Sequence, residues 1–397
     1  TGSPAGSTTR LPNPLTLEHA TTIYIMSRAW SARHKVERPL DFKGKEETHA
    51  SRNANGTGAW MLVSREPGVR TVLRRNPDWW GTREGRAPGN VTEVVYTQVS
   101  ADATRTAALL SGQIDFVLDP PPQDLARLEG SKDIKVVRGQ ENRIVFFGFD
   151  QHRDELLYSN VRGKNPFKDL RVRQAIYHAI DIEAIRARTM RGSALPTGGM
   201  TPSVLPSSPE IEQRLPHDPN RARQLLAEAG YPNGFEVTLD CPNNRYVNDE
   251  EICLAVAAML TRVGVLTRVT AMPRATYFPK LEKHDTSFFM LGWGGAITDA
   301  QTTLSPVLRS ADARTGNGGF NYGRYVNPKL DALIDAAAVE MDVERRRQVV
   351  WDALKEHNAQ VHHVPLHRQM IPWAMRSSVT AVHRADNVLN MESVKID

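Results

Sequence analysis

The segment from residue 235 to residue 293 alternates between strand and helix patterns, and this alternation limits the possible folds most. The order is strand, helix, strand, helix, strand, which predicts an α/β fold with parallel strands and right-handed crossovers. The predicted strands cover residues 235–239, 265–271 and 287–293, and the predicted helices cover residues 249–263 and 276–282.

In sheets of parallel strands, ligands collect beyond the carboxyl ends of the strands. Two stretches follow strands of this segment directly: CPNNRY after the first strand and GWGG at the end of the third. The pattern therefore predicts that Arg245 and Trp293 lie on the same edge of one sheet.

The third strand begins with an unbroken apolar run at residues 288–291, which is typical of a strand buried on both faces. It then opens into Gly292, Trp293, Gly294 and Gly295. Glycines let another backbone approach closely, and the tryptophan offers a large apolar surface. We interpret this stretch as the floor of a ligand cleft; the alternative is a tight turn with a packed tryptophan.

Four polar side chains near these strand ends are candidate ligand contacts. Arg245 is placed to hold a carboxylate through two parallel hydrogen bonds, unless it is a surface arginine. Tyr246 either stacks on a ligand or covers the start of the following helix. Asp299 either binds a ligand amine or caps the segment after it. Asn321 either contacts ligand or holds its own loop.

Composition indicates a globular chain of more than one domain. The sequence has 397 residues, of which 40% are hydrophobic and 24% are charged. No apolar run reaches the length of a membrane-spanning helix. The formal charge is +5 and the basic residues are spread along the chain, so nucleic-acid binding is not predicted.

The sequence carries no recognised catalytic or nucleotide-binding motif, so we predict no enzyme activity and no cofactor. Four histidines between residues 357 and 367 invite a metal hypothesis, but no ligand spacing supports it, and no metal site is predicted. Cys241 and Cys253 could pair in an exported protein, although the sequence does not position them.

Several local signals outside this segment are clear. The run around Glu66, Pro67 and Gly68 predicts a hairpin between strands at residues 59–65 and 69–74. Asp169, Asp181 and Asp218 each precede a helical pattern and are predicted N-caps. Their carboxylates can accept hydrogen bonds from the first free N–H groups of those helices.

Five stretches together resemble the extracytoplasmic solute-binding proteins of peptide-type ABC importers, the dipeptide/oligopeptide-binding family. They run in order from about Leu17 to the C-terminus, and NRYVND and GWGGAITDA are most similar to the glutathione-binding branch. The stretches are GTGAWMLVSREPGVRTVLRRNPDWWG, LLSGQIDFV, NPFKDLRVRQAIYHAID, DPNRARQLLAEAGYPNGFEVTL and NYGRYVNPKLDALIDAA.

The resemblance implies a two-lobed periplasmic binding protein fold with a ligand cleft between the lobes. Lobe I would comprise residues 1–142 and 369–397, and lobe II residues 143–368. It also implies an exported, periplasmic and monomeric protein whose partners are a small ligand and the membrane permease subunits of an importer. Family members have a further N-terminal portion before Leu17, and we expect that portion and the export signal to be absent from this chain.

Two site features carry over from the family by position. Arg245 matches the arginine that dipeptide-binding members use for the ligand carboxylate, and residues 292–294 match the segment whose backbone pairs with a bound peptide. One position departs, because members place an aspartate where this chain has Ala296. Asp299 is expected to substitute for it. The departure disfavours a peptide with a free amine and favours a glutathione-like or other carboxylate ligand.

We therefore predict the solute-binding component of an ABC importer that captures a dipeptide, an oligopeptide or glutathione. Two alternatives remain open from other classes. One is a carrier of a nickel chelate or heme on the same fold, which the histidines and methionines favour. The other is a hydrolase of peptide-like ligands, which would need a nucleophile or metal in the same cleft.

Overall fold

The computed structural model describes residues 26–38, 47–86, 88–201, 208–294 and 299–397. The chain divides into two compact units, and each is described by itself. Of the described residues, unit 1 contains Gln140–Met370, and unit 2 contains those from Met26 to Gly139 together with Ile371–Asp397. The lobe boundaries at residues 142 and 369 stay a prediction.

The described residues contain both strands and helices. The strands are β1 (Trp60–Glu66), β2 (Arg70–Arg75), β3 (Glu93–Thr97), β4 (Phe116–Leu118), β5 (Ile134–Phe149), β6 (Ala194–Pro196), β7 (Phe235–Pro242), β8 (Val265–Met272), β9 (Phe288–Gly294), β10 (His363–Arg376), β11 (Val379–Thr380) and β12 (Lys395–Ile396). The helices are α1 (Arg28–His34), α2 (His49–Arg52), α3 (Trp80–Arg83), α4 (Asp102–Ser111), α5 (Leu125–Glu129), α6 (Leu170–Ala179), α7 (Ile182–Ala184), α8 (Pro209–Glu212), α9 (Pro219–Glu228), α10 (Asp249–Arg262), α11 (Arg274–Glu282), α12 (Gln301–Thr303), α13 (Pro328–Val339) and α14 (Val343–Gln360).

Unit 2 contains an antiparallel sheet of β1, β2 and β3 in that order. The hairpin between β1 and β2 confirms the predicted turn: the Val69 N–H donates to the Glu66 carbonyl at 3.0 Å, and Gly68 has φ +78°. That positive φ favours glycine over residues with a side chain. A small apolar cluster around Leu109, Val117 and Leu128 forms a core of this unit.

Unit 1 is built on a mixed sheet in which β10, β5, β9, β7 and β8 are neighbours in that order. β7 is parallel to β8 along its whole length and parallel to β9 at Leu239–Phe288 and Asp240–Phe289. This arrangement confirms the predicted βαβαβ order. β5 runs antiparallel to β9 on its other side.

The sheet of unit 1 is buried on both faces. Alternate residues of β5 enter different apolar clusters: Val145, Phe147 and Phe149 lie in one, whereas Ile144 and Phe146 lie in the other. Successive side chains of a strand point to opposite faces, so both faces carry helices and loops that exclude water. The apolar run of β9 is a strand buried on both sides, as predicted.

Three helices of unit 1 begin where the sequence predicts. The Asp218 carboxylate accepts the N–H groups of Asn220 and Arg221 at 3.0 and 2.9 Å. Asp169 and Asp181 accept the N–H groups of Arg171 and Ala184 in the same way. These side chains satisfy N–H groups that the first helical turn cannot pair internally.

Cys241 and Cys253 form a disulfide, which settles the pairing that the sequence left open. The bond joins the carboxyl end of β7 to the second turn of α10 and encloses the loop that carries Arg245. The cross-link restricts that loop to a few conformations, because both of its flanks are fixed.

Within the ranges that the structure describes, no helix has the length and apolar character that a membrane crossing requires.

Candidate binding pocket

A cavity of about 310 Å³ lies in unit 1 at the carboxyl ends of β7 and β9. It brings Arg245, Tyr246, Gly292, Trp293 and Gly294 together, which are five of the residues singled out from the sequence. The remaining lining residues are Arg143, Phe278, Leu291, Phe320 and Tyr322. Five aromatic rings and two guanidinium groups therefore define the chemistry of this pocket.

Arg245 lies on the loop before α10, and Asp249, the first residue of that helix, fixes the backbone of this loop. The Asp249 carboxylate accepts the N–H groups of Arg245 and Tyr246 at 2.9 and 3.0 Å. Among the described residues, no carboxylate lies within ion-pair distance of the Arg245 guanidinium, which instead lies 5.2 Å from the centre of the Tyr246 ring. Burial and then the charge of Arg143 lower the pKa of Arg245. Both effects would be relieved by a bound anion.

Tyr246 closes one side of the pocket and is 7% exposed. Its hydroxyl accepts the Gly292 N–H at 2.7 Å, and its ring packs so closely on Gly292 that a Cβ there would lie 2.4 Å from the ring. Position 292 therefore needs a glycine for space. Burial raises the pKa of the Tyr246 hydroxyl.

Arg143 is a pocket residue that the sequence reasoning missed. It pairs with Gly294 across β5 and β9, and the Glu141 carboxylate accepts its Nε at 2.9 Å. The Gln369 side chain also donates to Glu141 at 2.9 Å. The signal in the sequence was a basic residue directly before the apolar run at residues 144–149. Its use required knowing that this run belongs to a strand that lies beside β9.

Trp293 forms a wall of the pocket. Its indole Nε1 donates to the Thr302 carbonyl at 2.8 Å, and its ring lies 4.6 Å from the Phe320 ring, centre to centre. Because the indole N–H is already bonded, Trp293 offers a ligand an apolar face and no free donor. Phe320 and Tyr322 were also missed, since they lie in a glycine-rich loop with no periodic pattern.

Asp299 does not line this pocket. Both of its carboxylate oxygens accept the Arg346 guanidinium, at 2.8 and 3.0 Å, and its side chain is fully buried. It also accepts the Gln301 N–H at 3.0 Å. The structure therefore shows the capping arrangement that the sequence analysis gave as the alternative.

Asn321 is also buried and does not line the pocket. Its side-chain amide donates to the carbonyls of Arg309 and Tyr325 at 3.2 and 3.0 Å, an arrangement that holds its own loop. Gly295 and Ala296 lie outside the described residues. Ligand binding by Asp299, Asn321 or Gly295 stays a prediction.

The four histidines of residues 357–367 make their contacts inside the fold. No group of three or more potential ligands lies together anywhere in the part of the chain that the structure describes. Instead, His357 Nε2 and His363 Nδ1 lie 2.9 Å apart, and the His362 ring stacks on Tyr325. Burial lowers the pKa of His357 to about 4 and that of His367 to about 3.

The α/β fold of the described residues is that of the periplasmic binding protein class. Residues 8–315 match the model for bacterial extracellular solute-binding proteins, family 5 Middle. The chain therefore belongs to this family, as the motifs predicted.

Individual relatives agree with this assignment. The chain is 27% identical to heme-binding protein A from Haemophilus influenzae over 313 residues, which is 78% of this chain and 53% of that protein. It is 27% identical to a glutathione-binding protein from Salmonella typhimurium, over 75% of this chain and 56% of that protein. The chain thus spans about half the length of the curated relatives that it matches.

The fold is similar to that of a periplasmic binding protein from Helicobacter pylori, the ABC transporter-associated DppA, solved in complex with the peptide STSA. The TM-score is 0.76 at 19% sequence identity, and the match covers 94% of this chain and 68% of the other. This similarity shows the fold.

Proposed function

We propose that the chain is the periplasmic solute-binding component of an ABC importer and captures a small peptide or peptide-like carboxylate. The observation that carries the proposal is the Arg245 guanidinium, which lines an aromatic pocket and has no carboxylate partner among the described residues. A guanidinium in this setting binds a carboxylate through charge-assisted hydrogen bonds. Such a component delivers its ligand to membrane permease subunits and acts as a monomer.

Binding without turnover fits the residues of the pocket. Its lining residues in the described chain are arginines, aromatic rings, glycines and one leucine, with no serine, cysteine or histidine to act as nucleophile or base. Incubation of a bound peptide with the protein should therefore return the peptide intact by mass spectrometry. The appearance of cleaved products would favour the hydrolase.

The central test is calorimetric titration with dipeptides, oligopeptides and glutathione. We expect one of these carboxylates to bind, and we expect Arg245→Ala to weaken it by more than about 1.5 kcal/mol, the cost of a lost charged hydrogen bond. Arg268→Ala is the matched control, because Arg268 is an exposed arginine of β8 outside the pocket that pairs with Glu236. Equal effects of the two variants would refute the assignment of Arg245.

The relationship to heme-binding protein A favours heme as a second candidate ligand. Titration of heme followed by absorbance distinguishes it from the peptide proposal, and a nickel chelate can be tested in the same way. A shift of the heme absorbance band that is lost in Arg245→Ala would replace the peptide by heme in the same pocket.

A further inference from the structure

The side of β9 that faces β7 becomes an unpaired edge near its carboxyl end. β7 pairs with β9 only at Phe288 and Phe289, so the stretch from Met290 to Gly294 lies beyond the parallel pairing. Backbone groups of alternate residues in a strand point to the same side. Met290, Gly292 and Gly294 therefore present their N–H and C=O groups to this edge, where an extended peptide would add as a further strand.

Two tyrosine hydroxyls already occupy most of this edge. The Tyr277 hydroxyl donates to the Met290 carbonyl. The Tyr246 hydroxyl accepts the Gly292 N–H at 2.7 Å and lies 3.3 Å from the Gly292 carbonyl oxygen. Both tyrosines are buried, so neither hydroxyl can swing aside into solvent. Among the described residues of this edge, Gly294 alone carries no tyrosine hydroxyl on its backbone.

The charges of the pocket also favour a ligand with a single anionic group. The Arg143 guanidinium is paired with Glu141, with Nε and Nη2 both 2.9 Å from the carboxylate. Arg245 is the lining cation without a carboxylate partner among the described residues, and no carboxylate is among the lining residues. The pocket thus offers one anion site and several aromatic faces.

We propose that this pocket binds a compact acid, with the carboxylate on Arg245 and the body between the aromatic rings, and not an extended peptide paired along β9. This inference rests on the proposed function and names its ligand class. The hydroxyl of Tyr246 is then a specificity determinant, because it occupies the Gly292 N–H that a longer peptide backbone would need.

A series of phenylalanine-derived acids tests the proposal by calorimetry. The probes are 3-phenylpropanoate, which has no peptide group, then Ala-Phe and Ala-Ala-Ala-Phe, which share its ring and carboxylate. We expect the tetrapeptide to bind within threefold of the dipeptide. A tetrapeptide at least tenfold tighter than the dipeptide would overturn the inference and leave the proposed function intact. Failure of every probe, and of the dipeptides, oligopeptides and glutathione as well, would overturn both.

Tyr246→Phe tests the same idea by opening the edge. Without the hydroxyl, the Gly292 N–H is free to donate to a ligand carbonyl. The ratio of tetrapeptide affinity to 3-phenylpropanoate affinity should therefore rise by about fivefold, which is the change in affinity that one net hydrogen bond gives. Tyr96→Phe is the matched control, because it removes the hydroxyl of an exposed tyrosine of β3 outside the pocket and should leave this ratio unchanged. Thermal unfolding checks that both variants fold. An unchanged ratio in Tyr246→Phe would overturn the role of the hydroxyl.

Discussion

The pocket around Arg245 and the interior around Asp299 both contain charged groups in apolar surroundings, but they use them differently. The Asp299 carboxylate is fully buried and has its two oxygens on Arg346. Arg245 is partly exposed, lines a cavity of about 310 Å³ and contacts an aromatic ring. The first arrangement pairs its charge within the fold, whereas the second leaves its charge facing a cavity.

This difference teaches how to separate structural from binding residues in one unit. A buried charge whose partners are complete stabilises the fold, and its removal leaves the partner charge unpaired. A charge that faces a cavity without a counter-charge costs the fold some desolvation and repulsion, which a bound anion relieves. Substitution should therefore lower stability strongly in the first region and lower ligand affinity, with little change in stability, in the second.

The largest expected effect is at the buried pair. Arg346→Ala leaves the Asp299 charge buried and unpaired, and should lower the free energy of unfolding by about 3 to 5 kcal/mol. Urea denaturation measures this change. Arg347→Ala is the matched control, because the neighbouring Arg347 pairs with Glu344 on the surface and should cost less than about 1 kcal/mol. Equal losses in both variants would remove the distinction between the two regions.

The next effect concerns space in the pocket wall. Gly292→Ala places a Cβ at 2.4 Å from the Tyr246 ring, so the ring must move and its hydrogen bond to the Gly292 N–H must break. We expect destabilisation by about 1 to 3 kcal/mol, which is typical of overpacking. Gly319→Ala is the control, since its Cβ would meet only the Gly316 carbonyl oxygen at 3.4 Å. Unfolding midpoints of the two variants that fall together would contradict the prediction.

A third effect appears only in acid. Burial, and then the charge of Arg214, lower the pKa of His367 to about 3 in the folded protein, against 6.5 for the free side chain. As the pH falls from 6.5 towards 3, the unfolded chain gains a proton that the folded protein excludes, so stability is lost over this range. His367→Leu should remove that loss and be more stable than wild type by about 2 kcal/mol at pH 5, relative to the difference at pH 7.5.

Urea denaturation of wild type and His367→Leu at both pH values measures this difference. Comparison between the two proteins cancels the contributions of all other titrating groups. Identical pH dependence in the two proteins would show that His367 is protonated in the folded state at pH 5, and hence that this part of β10 is open to water.

Sequence reasoning predicted the strands that carry the pocket but only some of its lining residues. Regular strand and helix periods between residues 235 and 293 were sufficient for the parallel order of β7, β8 and β9, and hence for placing Arg245 and Trp293 on one edge. Arg143 was missed because its place depends on the antiparallel pairing of β5 with β9, which joins residues about 150 positions apart. No local pattern encodes such a pairing.

Asp299 and Asn321 show a second limit of sequence reasoning, because they were selected from the sequence but do not line the pocket. Each lies close in sequence to the pocket residues, and each has the polar character of a ligand contact. Both side chains are engaged inside the fold, because Arg346, 47 residues away, donates to Asp299, and the Nδ2 group of Asn321 donates to two backbone carbonyls. Residue type and nearness in sequence do not reveal such partners.

The smallest expected effect on stability is at Arg245 itself, and it sharpens the comparison most. The guanidinium contacts the Tyr246 ring, which stabilises by about 0.5 to 1 kcal/mol at most in a partly exposed site, and it is repelled by Arg143. Arg245→Ala should therefore change the free energy of unfolding by less than about 1 kcal/mol, although we expect it to weaken ligand binding by more than about 1.5 kcal/mol. Urea denaturation of the ligand-free protein measures this. A loss as large as that of Arg346→Ala would mean that Arg245 is part of the structural interior, and its role as an anion site would then have to be abandoned.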